Sequence, residues 1–160
     1  MFIAALCYPE KKAILLQNNV LDVILSTVQN PQMNSSSAVL CGFCMVLGVL
    51  TLHDQEVCTE ARSMDLISVV NEIIQHCLKN NQQDGSAIDQ LLVLWGCGCL
   101  SNLLYQQPIE VIGEENISQS CNTIGLCMEF GNMLGPEAAS GLATCARILV
   151  ATEFGWSLSK

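Results

Sequence analysis

The chain reads as all-helical, on three observations. Apolar residues recur at helical spacing, no stretch alternates strictly between apolar and polar residues with turn signals at its ends, and one order of elements returns three times. The 160 residues are 51% apolar and only 13% charged, enough for one substantial core in a chain too short for several unrelated domains. A mean hydropathy of +0.41 argues against disorder.

The elements follow in order. Phe2, Ile3, Leu6 and Cys7 form a short apolar start with no basic residue before it, so no signal peptide is expected. From Glu10 a polar segment leads to Val20, Val23, Ile24 and Val28, which share one helical face and stop at Asn30-Pro31. Ala38 to Leu52 then runs 15 residues almost without a polar side chain. Its small residues, Gly42 and Gly48, and its cysteines suit a helix packed on several sides. Beyond the His53-Asp54 turn, Leu66, Val69, Val70, Ile73, Ile74 and Cys77 make a second amphipathic stripe, closed by the polar loop 80–86. A second apolar run covers Leu91 to Tyr105 and holds Gly96 and Gly98. Glu110, Glu114 and Glu115 mark a solvated face before a third amphipathic stretch, Ile117 to Met128, and a third apolar helix is expected around Cys145 to Val150.

One domain over 1–160 is therefore expected, with the end of a preceding repeat at 1–9, repeats at 10–53, 54–106 and 107–153, and a tail at 154–160. The amphipathic helices begin near Val20, Leu66 and Ile117, which are 46 and 51 residues apart. That spacing lies close to the roughly 40–47 residues of helical armadillo- and HEAT-type repeats.

Charge and motifs narrow the function. Fifteen acidic residues against six basic ones give a net charge of −9, so nucleic acid and anionic lipid surfaces are poor direct partners. Ten cysteines in a chain of this size, without a secretory signal, fit a reducing intracellular compartment, cytoplasmic or nuclear. Cys41 and Cys44 have C-x-x-C spacing, and Cys97, Cys99, Cys121 and Cys127 could be asked to complete a zinc site. The pair sits inside an apolar helix, where cysteine acts as a small hydrophobe, so no metal or other cofactor is expected. His53-Asp54 reads as a helix end meeting a polar turn, with His76 as the only other histidine. There is no G-x-S-x-G elbow and no phosphate-binding glycine loop, so no enzyme is expected. The two 15-residue apolar runs fall short of the about 20 residues that span a bilayer, which makes an integral membrane protein on 38–52 and 91–105 the alternative reading and a cysteine-metal module a remoter one. Trp95 is expected in the core between units, and Trp156 in the tail is a candidate docking residue.

The stretch Trp95-Gly96-Cys97-Gly98-Cys99-Leu100-Ser101-Asn102-Leu103-Leu104 resembles the third helix of an armadillo repeat, and Tyr105 to Ile117 is similar to the short first helix of the next one. The resemblance implies three helices per repeat, stacked into a right-handed superhelix whose third helices line a groove for an extended partner segment. Carried over by position, the groove asparagine falls on Asn102, with Gly48 and Arg147 at the aligned places in the first and third units. The tryptophan that accompanies it in importin-like repeats falls on Gly98, a departure that speaks against nuclear-signal binding. The resemblance thus implies a non-catalytic scaffold for protein–protein interaction, with Asn102 bonding to a partner's backbone and Arg147 to an acidic or carbonyl group. The N-terminal residues resemble the tail of a third helix, so a fragment, a short isoform or one end of a longer solenoid is expected, able to associate through that end.

Overall fold

The computed structural model of the chain describes residues 9–33, 35–80, 86–105 and 107–129, together with Ser140 and Ala143. Every regular element among them is a helix: α1 (Pro9–Gln17), α2 (Val20–Gln29), α3 (Ser37–Thr51), α4 (Gln55–Ser63), α5 (Leu66–Asn80), α6 (Ala87–Leu104), α7 (Ile109–Ile112) and α8 (Glu114–Glu129). Short helices precede medium ones and medium precede long: α1, α2, α3, then α4, α5, α6, then α7 and α8.

Three hinges mark this recurrence. Asn19 (φ 52°), Asp65 (φ 58°) and Gly113 (φ 84°) take the left-handed conformation immediately before α2, α5 and α8, at intervals of 46 and 48 residues. Asn and Asp tolerate that region and Gly occupies it freely. In each case the hinge carbonyl accepts the first helical hydrogen bond, from Val23 N (3.2 Å), Val69 N (3.3 Å) and Ile117 N (3.2 Å). One left-handed residue thus starts each medium helix within two residues of the end of the short one.

Side chains secure the other helix ends. Asp54 caps α4 by accepting from Val57 N at 3.1 Å, and its carboxylate pairs with Lys12 of α1 at 2.7 Å. Ser86 and Asp89 form a reciprocal capping box at the start of α6. At the other end of α6, the Arg62 guanidinium of α4 donates to the Leu103 carbonyl at 2.9 Å, satisfying one of the acceptors a helix C-terminus leaves open.

The core lies where long and medium helices meet. α3 and α6 share the most extensive contact, followed by α5 with α6 and α5 with α8. Leu47, Leu50, Leu66, Ile74, Leu92 and Leu100 are fully buried there, each contributing about 1.5–3 kcal/mol of apolar burial. Close approach depends on two glycines. A Cβ on Gly96 would stand 2.7 Å from Ile74 Cγ1, and one on Gly48 would stand 3.4 Å from Trp95 Cε3. Trp95 packs against the core from α6, partly buried.

The seam between α5 and α8 is polar as well as apolar. Asn71 Nδ2 donates to Ser120 Oγ (2.9 Å) and to Ile67 O (3.0 Å), and Gln75 Nε2 donates to Thr123 Oγ1 (2.8 Å). Asn71 is fully buried, and among the described residues its Oδ1 has no hydrogen-bond partner.

The structure moves some expected boundaries. Leu21 is buried and Val23 is 57% exposed, so the buried face of α2 is Val20, Leu21 and Val28, a rotation that the all-aliphatic neighbourhood concealed. α6 starts at Ala87 rather than Leu91, because the Ser86 capping box adds a turn ahead of the apolar run. α8 starts at Glu114, three residues before Ile117, because Gly113 makes the break. The expected third long helix at 145–150, the N-terminal segment 1–8, Trp156 and the tail lie outside the described residues.

Candidate partner-binding surface

α3 and α6 lie side by side, and each keeps one stripe incompletely covered. On α6 the stripe is Leu91, Leu94, Trp95, Gly98 and Tyr105, at helical i, i+3, i+4, i+7 spacing. On α3 it is Ala38, Gly42, Met45 and Val49, continued by Leu52. Leu91 is 47%, Leu52 51% and Tyr105 38% exposed, well above what a helix core leaves open. A Cβ on Gly42 or Gly98 would meet nothing within 4 Å, so both glycines border open space.

Among the described residues α3 and α6 bring no exposed charge to this face. α3 has no ionisable side chain apart from cysteine, and the single acid of α6, Asp89, is buried. Burial works against the Asp89 carboxylate, but hydrogen bonds from Ser86, Ser37 and Cys77 outweigh it and hold its pKa below the ordinary value. The carboxylate therefore ties the starts of α3 and α6 to the end of α5.

The sequence-predicted positions divide. Gly98 borders the open face. Gly48 is buried beneath Trp95 and Cys99. Asn102, one turn beyond Gly98, turns its amide inward: Nδ2 donates to Gly48 O at 3.0 Å and to Thr51 Oγ1 at 3.2 Å. The structure therefore brings Asn102 and Gly48 together as a bridge between α6 and the last turn of α3. Arg147 lies outside the described residues. Leu91, Leu94, Met45 and Val49 were not singled out in the sequence; the i, i+3, i+4 spacing from Leu91 was the available signal, hidden because the whole run is apolar.

The other chemical candidates lie within helices and turns. Cys41 and Cys44 are buried in α3, and burial raises both thiols, for Cys44 with help from Cys41 and Cys77. Cys58 is raised by burial too, and its Sγ donates to the Thr51 carbonyl at 3.2 Å. Burial of this kind favours the protonated thiol over the thiolate. Among the described residues no three His, Cys, Asp or Glu side chains gather in a metal-binding arrangement. His53 is a left-handed residue in the turn between α3 and α4, and Asp54 is the α4 cap. Burial works against the Asp54 carboxylate, but Lys12 and the Val57 amide outweigh it, so its pKa is lowered.

Among the described residues one helix, α6 with 18 residues, is long and apolar enough to cross a membrane by length and composition, and half of it is buried against its neighbours. Comparison with protein-family models, with curated proteins and with solved structures gave no match.

Proposed function

We propose that the chain is a non-catalytic interaction scaffold of stacked armadillo-like units that holds an extended segment of a protein partner along the α3/α6 face. The observation that carries this reading is the uncharged, partly exposed double stripe of aliphatic and aromatic side chains with two glycine notches. Exposed apolar surface of this kind marks interaction sites. The helix order and the hinges at 46- and 48-residue intervals support the stacking. In this reading Asn102 positions rather than contacts: it fixes α6 on α3, and the partner meets Leu91, Trp95 and Tyr105.

The test uses the open glycines. Gly42→Arg combined with Gly98→Arg places two long side chains across the face without touching the core. Proteins co-purifying with the wild-type chain should be lost from this variant while far-UV circular dichroism stays unchanged. Undiminished capture would defeat the proposal. The membrane reading has the length of α6 in its favour. It predicts that alkaline carbonate leaves the expressed chain in the membrane pellet, whereas the scaffold reading predicts release.

A further inference from the structure

A second depression lies away from the α3/α6 face. α5 runs close along α8 but touches α2 little, and between α2 and α5 remains a cleft of about 520 Å³. Its floor is apolar: Val28 of α2, Leu40 of α3, and Val69 and Ile73 of α5. Leu40 sits on the side of α3 opposite the Gly42, Met45 and Val49 stripe, so the two surfaces share no residue. Glu72 and His76, one turn apart on α5, stand exposed at the mouth. Val28 and Gln29 end α2, so the negative pole of that helix also faces the opening.

Glu72 borders a neighbouring trench as well. Between α5 and α8 the trench is lined by Glu72, Glu115, Ser68, Ser118, Gln119 and Asn122, all polar. Cleft and trench therefore join at one carboxylate, apolar on one side and acidic on the other. Across α2, α5 and α8 the sequence places Asp22, Glu72, Glu114, Glu115 and Glu129 against a single lysine, Lys79, two turns beyond Glu72 on α5.

We propose that cleft and trench together dock a basic amphipathic protein segment, which seats an aliphatic side chain on Val28, Leu40, Val69 and Ile73 and lays Lys or Arg side chains along Glu72 and Glu115. Charge complementarity selects this occupant. A second copy of this chain, with its net charge of −9, would set like charges against the rim, and an anionic ligand would meet the same repulsion. The cleft volume falls within the roughly 300–1,000 Å³ of sites that enclose a compact apolar group.

The probe is a fluorescein-labelled twelve-residue peptide of alternating Leu and Lys, followed by fluorescence anisotropy with the full chain at near-physiological salt. Glu72→Gln combined with Glu115→Gln should weaken binding about tenfold, the sum expected of two exposed ion pairs. Val69→Arg, which puts a cation over the apolar floor, should abolish it. Gly98→Arg on the α3/α6 face should leave it unchanged, which separates failure of this site from failure of the scaffold reading. Circular dichroism verifies that each variant keeps its helices. Equal binding of a Ser-Lys peptide would reduce the effect to charge alone and overturn the proposal. So would affinity indifferent to Glu72 and Glu115, or sedimentation showing that these carboxylates and Val69 mediate self-association.

Discussion

Four glycines in two look-alike apolar helices do opposite things. Gly96 lets Ile74 approach within what would be 2.7 Å of its missing Cβ, and Gly48 seats Trp95 and Cys99, whereas Gly42 and Gly98 face open space. Gly96→Ala should therefore destabilise the fold by about 1–3 kcal/mol, since Ile74 is fully buried and must shift. Gly42→Ala and Gly98→Ala should each stabilise it by about 0.5–1 kcal/mol through helix propensity alone. Urea titration of the three variants checks the sign of each. The sequence could not rank these glycines, because a run apolar on every side offers no polar residue to orient it. Asn102 and Gly48, carried over by resemblance as groove positions of two units, touch one another, the amide spending its hydrogens on α3.

At the scale of elements, the left-handed hinges carry the geometry. Gly113→Ala forces a side chain into φ 84° and should cost about 1 kcal/mol, read as a lower urea midpoint. Asp65→Gly should be neutral or slightly stabilising at φ 58°, whereas Asp65→Val should be destabilising by more than about 1 kcal/mol. The capping box of α6 adds a pH dependence. Asp89 has a lowered pKa in the folded chain, so its contribution is complete above the unfolded value of about 3.9 and is lost as pH falls through the lower native value. Unfolding free energy should therefore drop in acid, and Asp89→Asn should flatten that drop. A wild-type slope in the variant would remove Asp89 as its source. The medium helices were legible because α5 and α8 alternate apolar and polar faces at helical period. The starts of α6 and α8 were not, because a capping box and a hinge glycine set them, and neither disturbs the apolar pattern from which boundaries are read.

At the scale of the whole molecule, the all-helical class of the described residues was visible in the sequence, and so was the return of medium helices near every 47 residues. The open surfaces were not, because each depends on which neighbour arrives. α5 is covered by α8 on one flank, where Asn71 and Gln75 bond across, and left apart from α2 on the other, where Val69 and Ile73 line the cleft. Side-chain hydrogen bonds cross both interfaces, from Cys99 and Asn102 between α6 and α3 and from Asn71 and Gln75 between α5 and α8. Polar pairs such as Asn71 with Ser120 and Gln75 with Thr123 bond only in one register.

A hinge of one or two residues also behaves as a short bracket under tension. The angle between the helices on either side depends on a turn of two residues, Asn18 and Asn19 or Met64 and Asp65, so a chain pulled from its ends gains little length by straightening it. It yields by shedding brackets whole. Each release of a unit of 46 or 48 residues should add roughly 150 Å of contour length, so an optical-tweezers trace would rise in a few large steps rather than as a smooth spring.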